Sequence, residues 1–278
     1  MRYKMLAVDL DGTALGAAPD AFAPGTLEAM TSAAAQGCQV VIATGRGLNT
    51  LPPGLNERRL PWLRYVVLYD GAEVWDLRAR TCLRRKAIPA AALETAARIG
   101  EQYRIAVEYV DAAGRYHIAQ RDWAGLDRLP LSGFHRTVLR QFAAPFTGSP
   151  TRFAGLGVLK LNLPCVPEAV WEPVCDAMRA AGMLPVACAP GALEVTSGAA
   201  GKLEAVRFLA GKLGLTLAEV MALGDSGNDA ALLAAAGLGV AMGNAPADVQ
   251  RAANLVTGAN TESGAACAIR RFLLGESD

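Results

Sequence analysis

This chain of 278 residues has almost no net charge, few lysines and no long apolar run. The formal net charge is +1 and no stretch is strongly basic, which excludes the concentrated Lys/Arg surface that binding to a nucleic-acid backbone requires. No apolar run is long enough to span a bilayer, and the N-terminus reaches Asp9 and Asp11 too early for a signal peptide. We therefore expect a cytoplasmic protein that binds neither nucleic acid nor a membrane.

Paired cysteines are also missing. The 6 cysteines are scattered, no two form a Cys-x-x-Cys pair, and most have apolar neighbours in the sequence. This pattern predicts reduced, buried thiols in a cytosolic protein.

What the chain does have is a regular alternation of apolar strands and helices at both ends. About half of the residues are hydrophobic (52%), which is enough for a sizeable core. Nearly all-apolar strands that alternate with helices predict a parallel sheet covered on both faces, an α/β Rossmann-like core. The predicted strands are Met5–Leu10, Gln39–Ala43, Tyr65–Tyr69, Val220–Leu223, Leu238–Met242 and Asn254–Val256. The predicted helices are Pro24–Gln36, Lys202–Leu213, Ala230–Ala236 and Gly264–Leu274.

The middle of the chain has a different pattern. Its strands alternate apolar and polar residues, which is typical of a sheet with one wetter face. The predicted strands there are Ile105–Tyr109, Arg115–Ala119, Val158–Leu163 and Leu184–Ala187, with helices at Ala90–Tyr103 and Glu168–Ala181. We therefore predict a core formed by residues 1–82 and 193–278, with an α+β domain inserted at residues 83–192.

Polar residues follow several of the predicted core strands. Asp9 and Asp11 close the first strand, Thr44 follows the second, Asp70 ends the third, and Asp225 follows Val220–Leu223. In open parallel sheets, ligands bind beyond the carboxyl ends of the strands. We expect these side chains to lie along one edge of the sheet.

Two of these segments concentrate carboxylates. In Asp9-Leu10-Asp11-Gly12-Thr13 the glycine permits a tight turn that aims carboxylates and backbone N–H groups into one small volume. The clustered carboxylates of Gly224–Asp229 suit Mg²⁺, which binds oxygen ligands. An ordinary Asp-Gly turn and an N-terminal helix cap are the alternative interpretations.

Thr44-Gly45-Arg46 and Lys202 are candidates for binding phosphate. The Thr44 hydroxyl and nearby N–H groups suit a phosphoryl oxygen, although a plain turn explains this segment equally well. Lys202 opens a predicted helix, where the ammonium and the helix N-terminus both favour an anion. The alternative is a solvated surface lysine. Lysine occurs only at positions 4, 86, 160, 202 and 212, which favours the functional interpretation.

Taken together, these motifs resemble the haloacid dehalogenase-like hydrolase superfamily. The resemblance rests on Asp-x-Asp-Gly-Thr, Thr-Gly-Arg, a lysine, and Gly-Asp-x-x-Asn-Asp in this order. The large insert after the third strand resembles that of the Cof-like (type IIB) branch. The segments Ala241–Ala245 and Asn260–Gly264, and the strand Lys160-Leu161-Asn162-Leu163, also resemble that branch.

The resemblance implies a role for each motif. Asp9 is implied to be the nucleophile that forms an aspartyl-phosphate, and Asp11 the acid and base that protonates the leaving group and then activates water. The implied Mg²⁺ ligands are Asp9, the backbone carbonyl of Asp11, and Asp225, with Asp229 or Asn228 in support. The implied phosphate-binding groups are Thr44, Gly45, Lys202, Asn228 and the Leu10 N–H.

Three positions depart from the pattern of the branch. Asp70 stands where Asn is common, Leu203 follows the lysine where Gly is usual, and Ala14 replaces a larger apolar residue. An additional negative charge at Asp70 is unfavourable beside a phosphate unless a cation or substrate hydroxyls pair with it.

The predicted substrate is a small phosphate monoester, such as a sugar or polyol phosphate, because the inserted domain is rich in alternating polar residues. In this branch the insert caps the active site and contacts the leaving group. The candidate substrate contacts are Arg46, Asp70, Tyr116, His117, Arg121, Trp123, His135 and Lys160, and for those of the insert a packing role is at least as reasonable. A sugar phosphomutase or phosphotransferase, and a non-catalytic binder of phosphorylated metabolites, remain alternatives.

Overall fold

The computed structural model describes residues 2–18, 20–55, 59–129, 131 and 133–276, without the side chains of Phe134 and His135. The chain forms two compact units. The first contains Met1–Arg85 and Lys202–Asp278, and the second contains Lys86–Gly201.

The elements follow one another in this order. The N-terminal part of the first unit contains β1 (Met5–Val8), α1 (Thr26–Ala35), β2 (Gln39–Ala43), β3 (Tyr65–Leu68), β4 (Glu73–Asp76) and β5 (Thr81–Arg85). The second unit contains α2 (Ala90–Tyr103), β6 (Glu108–Asp111), β7 (Tyr116–Ala119), α3 (Gln120–Ala124), α4 (Gly133–Phe142), β8 (Ala143–Phe146), β9 (Val158–Leu163), α5 (Trp171–Ala180), β10 (Met183–Ala189) and β11 (Ala192–Ser197). The C-terminal part of the first unit contains α6 (Lys202–Lys212), β12 (Val220–Gly224), α7 (Gly227–Ala235), β13 (Leu238–Ala241), α8 (Ala247–Ala252), β14 (Leu255–Val256) and α9 (Gly264–Ile269), and α9 continues as a π-helical segment, Arg270–Leu274.

The sheet of the first unit confirms the predicted fold class. Among the described residues, 8 strands run in the order β14-β13-β12-β1-β2-β3-β4-β5. The strands from β14 to β3 are parallel, and β1, β2, β3, β12 and β13 are almost entirely buried, as expected for a sheet with elements on both faces. Because β1 lies between β12 and β2, the residues that follow these three strands meet at the centre of one edge.

The antiparallel strands β4 and β5 at the edge of this sheet were not among the predicted elements. β3 pairs with β4 and β4 with β5 in antiparallel register. The acidic residues of β4, Glu73 and Asp76, are buried but bind arginines, Glu73 with Arg85 and Asp76 with Arg64. These strands mix apolar and charged residues and contain no apolar run, so the sequence pattern did not predict them.

The second unit contains a mixed sheet of 6 described strands in the order β10-β11-β9-β6-β7-β8, antiparallel except for the pair β7–β8. Helices α2 and α5 pack on it around a core that includes Leu93, Tyr109, Leu161 and Met178. The predicted strand at Ile105–Tyr109 begins later, at Glu108, because the Ile105 N–H still bonds to the Gly100 carbonyl at the end of α2.

The prediction of a wetter face is wrong for β9, which is buried at every position. Its two polar side chains pair with neighbouring strands. Lys160 binds Glu194 of β11 and Asn162 binds Glu108 of β6. Cross-strand pairing therefore replaces solvation along this strand.

The two units divide at Arg85/Lys86 and at Gly201/Lys202, whereas the predicted boundaries are 82/83 and 192/193. β5 pairs with β4 and belongs to the first sheet. β11 pairs with β9 and β10, so a boundary after residue 192 falls inside that strand.

The six cysteines, all described, are free thiols. The expected burial is correct for Cys38 and Cys175 but wrong for Cys188 and Cys267, which are exposed. In the described part of the chain, none of the helices is both long enough and apolar enough to cross a bilayer.

Candidate active site

The turn after β1 places Asp9 at the edge of the sheet. The Asp9 N–H donates to the Leu223 carbonyl at 3.1 Å, which extends the pairing of β1 with β12 by one residue. The chain then turns, with the Ala14 N–H bonding to the Asp9 carbonyl at 3.2 Å. Leu10 is buried inside this turn and Asp11 is exposed.

Gly12 is required in this turn for two reasons. Its φ is +75°, a left-handed conformation that other residues adopt at a cost. A Cβ at this position would also clash with Oδ2 of Asp225. The backbone of the first motif therefore lies directly against the carboxylate of the second.

Lys202 binds carboxylates from the N-terminal and the C-terminal parts of the first unit. Its side chain is completely buried, and Nζ lies 2.7 Å from Oδ1 of Asp9 and 2.7 Å from Oδ1 of Asp229. Burial acts to lower the pKa of the ammonium, but the carboxylates of Asp229, Asp9 and Asp70 hold that pKa well above its usual value. Lys202 is thus a fixed positive charge, and the solvated surface lysine is excluded.

Asp229 is held in place from both sides. Oδ1 binds Lys202, and Oδ2 accepts hydrogen bonds from the N–H groups of Asp225 and Ser226, both at 3.1 Å. Asp229 therefore caps the start of α7, as the alternative interpretation of this segment proposes, and also positions Lys202.

Asp225 faces the turn after β1. Its Oδ1 accepts a hydrogen bond from the Thr13 hydroxyl at 3.0 Å. Its Oδ2 lies 3.4 Å from Nδ2 of Asn244, which also donates to the Gly12 carbonyl at 2.9 Å. Burial and the charge of Asp229 raise the pKa of the Asp225 carboxyl to about 6.

The carboxylates of Asp9, Asp225 and Asp229 converge on one point. Their ligand atoms all lie within 4.8 Å of one another. Burial, together with the charges of Asp229 and Asp225, raises the pKa of Asp9 well above its usual value despite the opposing effect of Lys202. Three crowded carboxylates beside one ammonium fit a hard divalent cation such as Mg²⁺, because a cation would remove the repulsion that burial intensifies.

Asp11 differs from the other predicted metal ligands. Its carboxylate is not part of this cluster and instead binds Arg46, with Nε to Oδ2 at 2.8 Å and Nη2 to Oδ1 at 2.6 Å. Only its backbone carbonyl, the group that the family resemblance implies, remains a candidate ligand.

The Thr44-Gly45-Arg46 segment lies beside this cluster, after β2. Thr44 is buried, and its hydroxyl accepts a hydrogen bond from the Arg46 N–H at 3.1 Å. Gly45 is half-buried at the same edge. The Thr44 carbonyl accepts from the Asp70 N–H, which fixes the turn after β3 against the turn after β2.

Asp70 lies inside the site, where its carboxylate has a hydrogen-bond partner and a positive charge nearby. It is buried, with φ at +54°, and its Oδ1 accepts a hydrogen bond from Nδ2 of Asn228 at 2.8 Å. Oδ1 of Asn228 in turn accepts from the Ser226 hydroxyl at 2.8 Å. The charge of Asp70 also stabilises the Lys202 ammonium.

The candidates of the second unit have structural partners. Nε2 of His117 lies 2.9 Å from Oδ2 of the buried Asp111, and the His117 ring stacks on Phe153 at 4.1 Å. Nζ of Lys160 lies 2.5 Å from Oε1 of Glu194. Both residues are buried, so packing accounts for them within this unit.

Three further candidates of the second unit are Tyr116, Arg121 and Trp123. They lie on β7 and α3, and Arg121 binds Asp122. The side chain of His135 lies outside the described residues.

Asn244 is a site residue that sequence reasoning did not single out. It follows β13 as Asp225 follows β12, and it binds both the Gly12 carbonyl and the Asn260 N–H. A polar residue just beyond the carboxyl end of a parallel strand was the available signal.

A sequence model described as haloacid dehalogenase-like hydrolase matches residues 6–143 and 179–269 of this chain. The chain is 29% identical to the 5-amino-6-(5-phospho-D-ribitylamino)uracil phosphatase YcsE of Bacillus subtilis, over 98% of this chain and 96% of that protein. It is 27% identical to the pyridoxal phosphate phosphatase YbhA of Escherichia coli, over 99% of this chain and 100% of that protein.

A solved structure of a phosphatase of the haloalkanoate superfamily from Bacteroides thetaiotaomicron superposes with a TM-score of 0.79 at 26% identity, covering 97% of this chain and 95% of that one. These matches confirm the predicted enzyme class, a phosphoric monoester hydrolase, and the chain belongs to the haloacid dehalogenase-like hydrolase family.

Proposed function

We propose that this enzyme is a Mg²⁺-dependent phosphatase that hydrolyses small phosphate monoesters through an aspartyl-phosphate on Asp9. One observation carries the proposal: the buried ammonium of Lys202 binds Oδ1 of Asp9 directly, although the two residues are 193 positions apart in sequence. Asp9 also forms a carboxylate cluster with Asp225 and Asp229. An anionic nucleophile must approach an anionic phosphate, and a fixed ammonium at the nucleophile offsets that repulsion.

The metal-binding residues in this proposal are Asp9 and Asp225, with the Asp11 backbone carbonyl, while Asp229 supports them and anchors Lys202. When bound, Mg²⁺ neutralises negative charge on the phosphoryl group. The remaining phosphoryl contacts come from Lys202, Thr44, Asn228 and the N–H groups of Leu10 and Gly45.

The first step forms the covalent intermediate. A carboxylate oxygen of Asp9 attacks phosphorus, the bond from phosphorus to the ester oxygen breaks, and the leaving alkoxide takes a proton from Asp11. The products are the free alcohol, a phosphorylated Asp9 and an ionised Asp11.

The second step regenerates the enzyme. Ionised Asp11 accepts a proton from a water molecule whose oxygen attacks the same phosphorus, and the bond between phosphorus and Asp9 breaks. Inorganic phosphate leaves, Asp9 is again a carboxylate and Asp11 is again protonated. One water is consumed for each ester. A protein that only binds a phosphorylated metabolite has no use for this second carboxylate.

Substitution of the nucleophile tests the mechanism. We expect Asp9→Asn to abolish hydrolysis of p-nitrophenyl phosphate with Mg²⁺, by more than about 10³-fold in kcat, because an amide is a poor nucleophile. Asp248→Asn, on the exposed face of α8, is the matched control and keeps full activity. Circular dichroism and thermal unfolding check that both variants fold. Substantial turnover by a folded Asp9→Asn protein refutes the mechanism.

For the leaving group we propose a sugar or polyol. A screen of sugar phosphates, polyol phosphates, pyridoxal phosphate and nucleotides identifies it by comparison of kcat/KM. Release of free phosphate from a sugar phosphate, without an activating bisphosphate, distinguishes this phosphatase from an obligate phosphomutase.

A further inference from the structure

Arg46 holds Asp11 by both oxygens. The guanidinium lies side-on to the carboxylate, with distances of 2.8 Å from Nε to Oδ2 and 2.6 Å from Nη2 to Oδ1. Two parallel N–H···O bonds of this kind fix the orientation of a carboxylate as well as its position, because the planar fork of arginine matches the plane of the carboxylate.

Arg46 is itself fixed. Its remaining nitrogen, Nη1, donates to Oδ1 of Asp20 at 3.0 Å and to the Thr50 carbonyl at 3.1 Å. Its backbone N–H donates to the Thr44 hydroxyl, and its carbonyl accepts from the Tyr69 N–H. The guanidinium is therefore anchored to Asp20 and Thr50 in addition to Asp11, and the Arg46 backbone is anchored to Thr44 and Tyr69.

Exposure shows which partner is positioned by the other. The Arg46 side chain is 10% exposed, whereas the Asp11 side chain is 56% exposed. A carboxylate that is more than half exposed has open space for other rotamers, and lost rotamer freedom must be offset by contacts. For Asp11, the Arg46 fork supplies that contact.

The bidentate pair does not occupy the whole carboxylate. An ionised Asp has about four lone-pair sites on its two oxygens, and the Arg46 fork uses two of them. Either of the others can take a proton from water, and the protonated oxygen can then give that proton to a leaving group.

We propose that Arg46 is the positioning residue for Asp11, aligning its carboxylate for proton transfer. The inference rests on the proposed function, since it concerns the acid and base of that reaction. Arg46 then acts through Asp11 and need not touch the reacting atoms. Small displacements of a proton-transferring group lower rates by up to about 10²-fold, so alignment alone has a measurable effect.

A comparison of substrates with different leaving groups distinguishes this positioning role from a purely structural one. p-Nitrophenolate is a stable anion that departs without a proton, whereas an aliphatic alkoxide needs one. The value of kcat/KM reports the steps up to the first irreversible one, which here is the departure of the alcohol. A misaligned Asp11 therefore lowers kcat/KM for aliphatic esters and leaves that for p-nitrophenyl phosphate nearly unchanged.

The experiment compares Arg46→Gln, Arg46→Lys, Asp11→Asn and the double variant Arg46→Gln/Asp11→Asn on p-nitrophenyl phosphate and on the fastest aliphatic ester of the substrate screen. Arg64→Gln is the control, because Arg64 also pairs with an aspartate carboxylate of the first unit, that of Asp76, which has no role in the proposed reaction. Thermal unfolding of each variant verifies folding.

We expect Arg46→Gln to lower kcat/KM for the aliphatic ester by about tenfold or more, and that for p-nitrophenyl phosphate by less than about threefold. Arg46→Lys should recover little, because an ammonium cannot form the planar fork. In the Asp11→Asn background, adding Arg46→Gln should have no further effect beyond about threefold, since there is no longer a proton donor to align.

Equal losses on both esters, or fully additive losses in the double variant, would overturn the proposal and assign Arg46 to substrate binding or to folding. An unchanged kcat/KM for both esters in Arg46→Gln would also overturn the proposal. These outcomes differ from failure of the proposed function, in which the unmodified enzyme or a folded Asp9→Asn variant gives the wrong result with p-nitrophenyl phosphate.

Discussion

The carboxylate of Asp70 and the amide of Asn228 are joined by a hydrogen bond of 2.8 Å from Nδ2 to Oδ1. The two residues come from turns 158 positions apart in sequence, after β3 and at the start of α7. Because Oδ1 of Asn228 also accepts from Ser226, the amide has a single orientation that presents its NH₂ group to Asp70. Asp70 thus sets the direction of Asn228 and adds a negative charge near Lys202.

The first prediction concerns this charge. Asp70→Asn keeps the size of the side chain and an oxygen that can accept from Asn228, but it removes a negative charge beside the anion site. We expect inorganic phosphate to inhibit the variant about threefold to tenfold more strongly, because the charge of Lys202 is then less neutralised. Competition of phosphate with p-nitrophenyl phosphate measures the effect. An unchanged inhibition constant shows that solvent or metal already screens Asp70.

A second prediction concerns the buried Lys202. Lys202→Met leaves Asp9 and Asp229 without the ammonium that binds both, and loss of one partner from a buried ion pair costs about 3–5 kcal/mol. Urea unfolding at neutral pH in the presence of a chelator should show this loss. Lys212→Met, an exposed position at the other end of α6, provides the control and should change the free energy of unfolding by less than about 0.5 kcal/mol.

The raised pKa of Asp225 predicts how stability depends on pH. Its folded-state pKa of about 6 exceeds the usual value of 3.8, so the protonated carboxyl stabilises the fold fully below pH 3.8, and this contribution is lost as the pH rises through about 6. Asp9, whose pKa is also raised, acts in the same direction.

Mg²⁺ should therefore raise the Tm more at about pH 7.5 than at about pH 5, because it binds the ionised carboxylates. Thermal unfolding with Mg²⁺ or with a chelator at the two pH values gives the comparison. In the Asp225→Asn variant, the difference between the Mg²⁺-induced Tm shifts at the two pH values should be smaller. An equal Mg²⁺ shift in this variant and in the unmodified protein would place the metal elsewhere.

Glycine 12 offers a prediction with an internal control. Gly12→Ala and Gly37→Ala both put a side chain at positive φ, at a cost of about 1–2 kcal/mol each. Only at Gly12 would the new Cβ collide with Asp225, since nothing lies within 4 Å of the corresponding position at Gly37. We expect Gly12→Ala to lose both the Mg²⁺-induced thermal shift and catalysis, and Gly37→Ala to retain both. Equal behaviour of the two variants would mean that the turn and Asp225 can separate without harm.

The amino-acid sequence by itself determined the parallel core and the position of its polar edge. Apolar strands buried on both faces leave a clear pattern, so β2 has the predicted bounds and β1, β3, β12 and β13 differ by only one or two residues. The carboxyl ends of parallel strands share one edge, and for that reason Asp9, Thr44 and Asp225 could be placed together from local pattern alone.

Only the tertiary structure decided which of these side chains touch. The adjacency of β12 and β1 brings Lys202, Asp229 and Asp9 into one cluster, and strand order is not encoded in periodicity. Partner choice depends on rotamers and on the neighbours that packing supplies: Arg46 binds Asp11, and Asp70 binds Asn228 across the site. The same reason explains why Lys160 and His117, polar in the sequence, are buried with partners, since a buried polar or charged group is stable only where the fold supplies its partner.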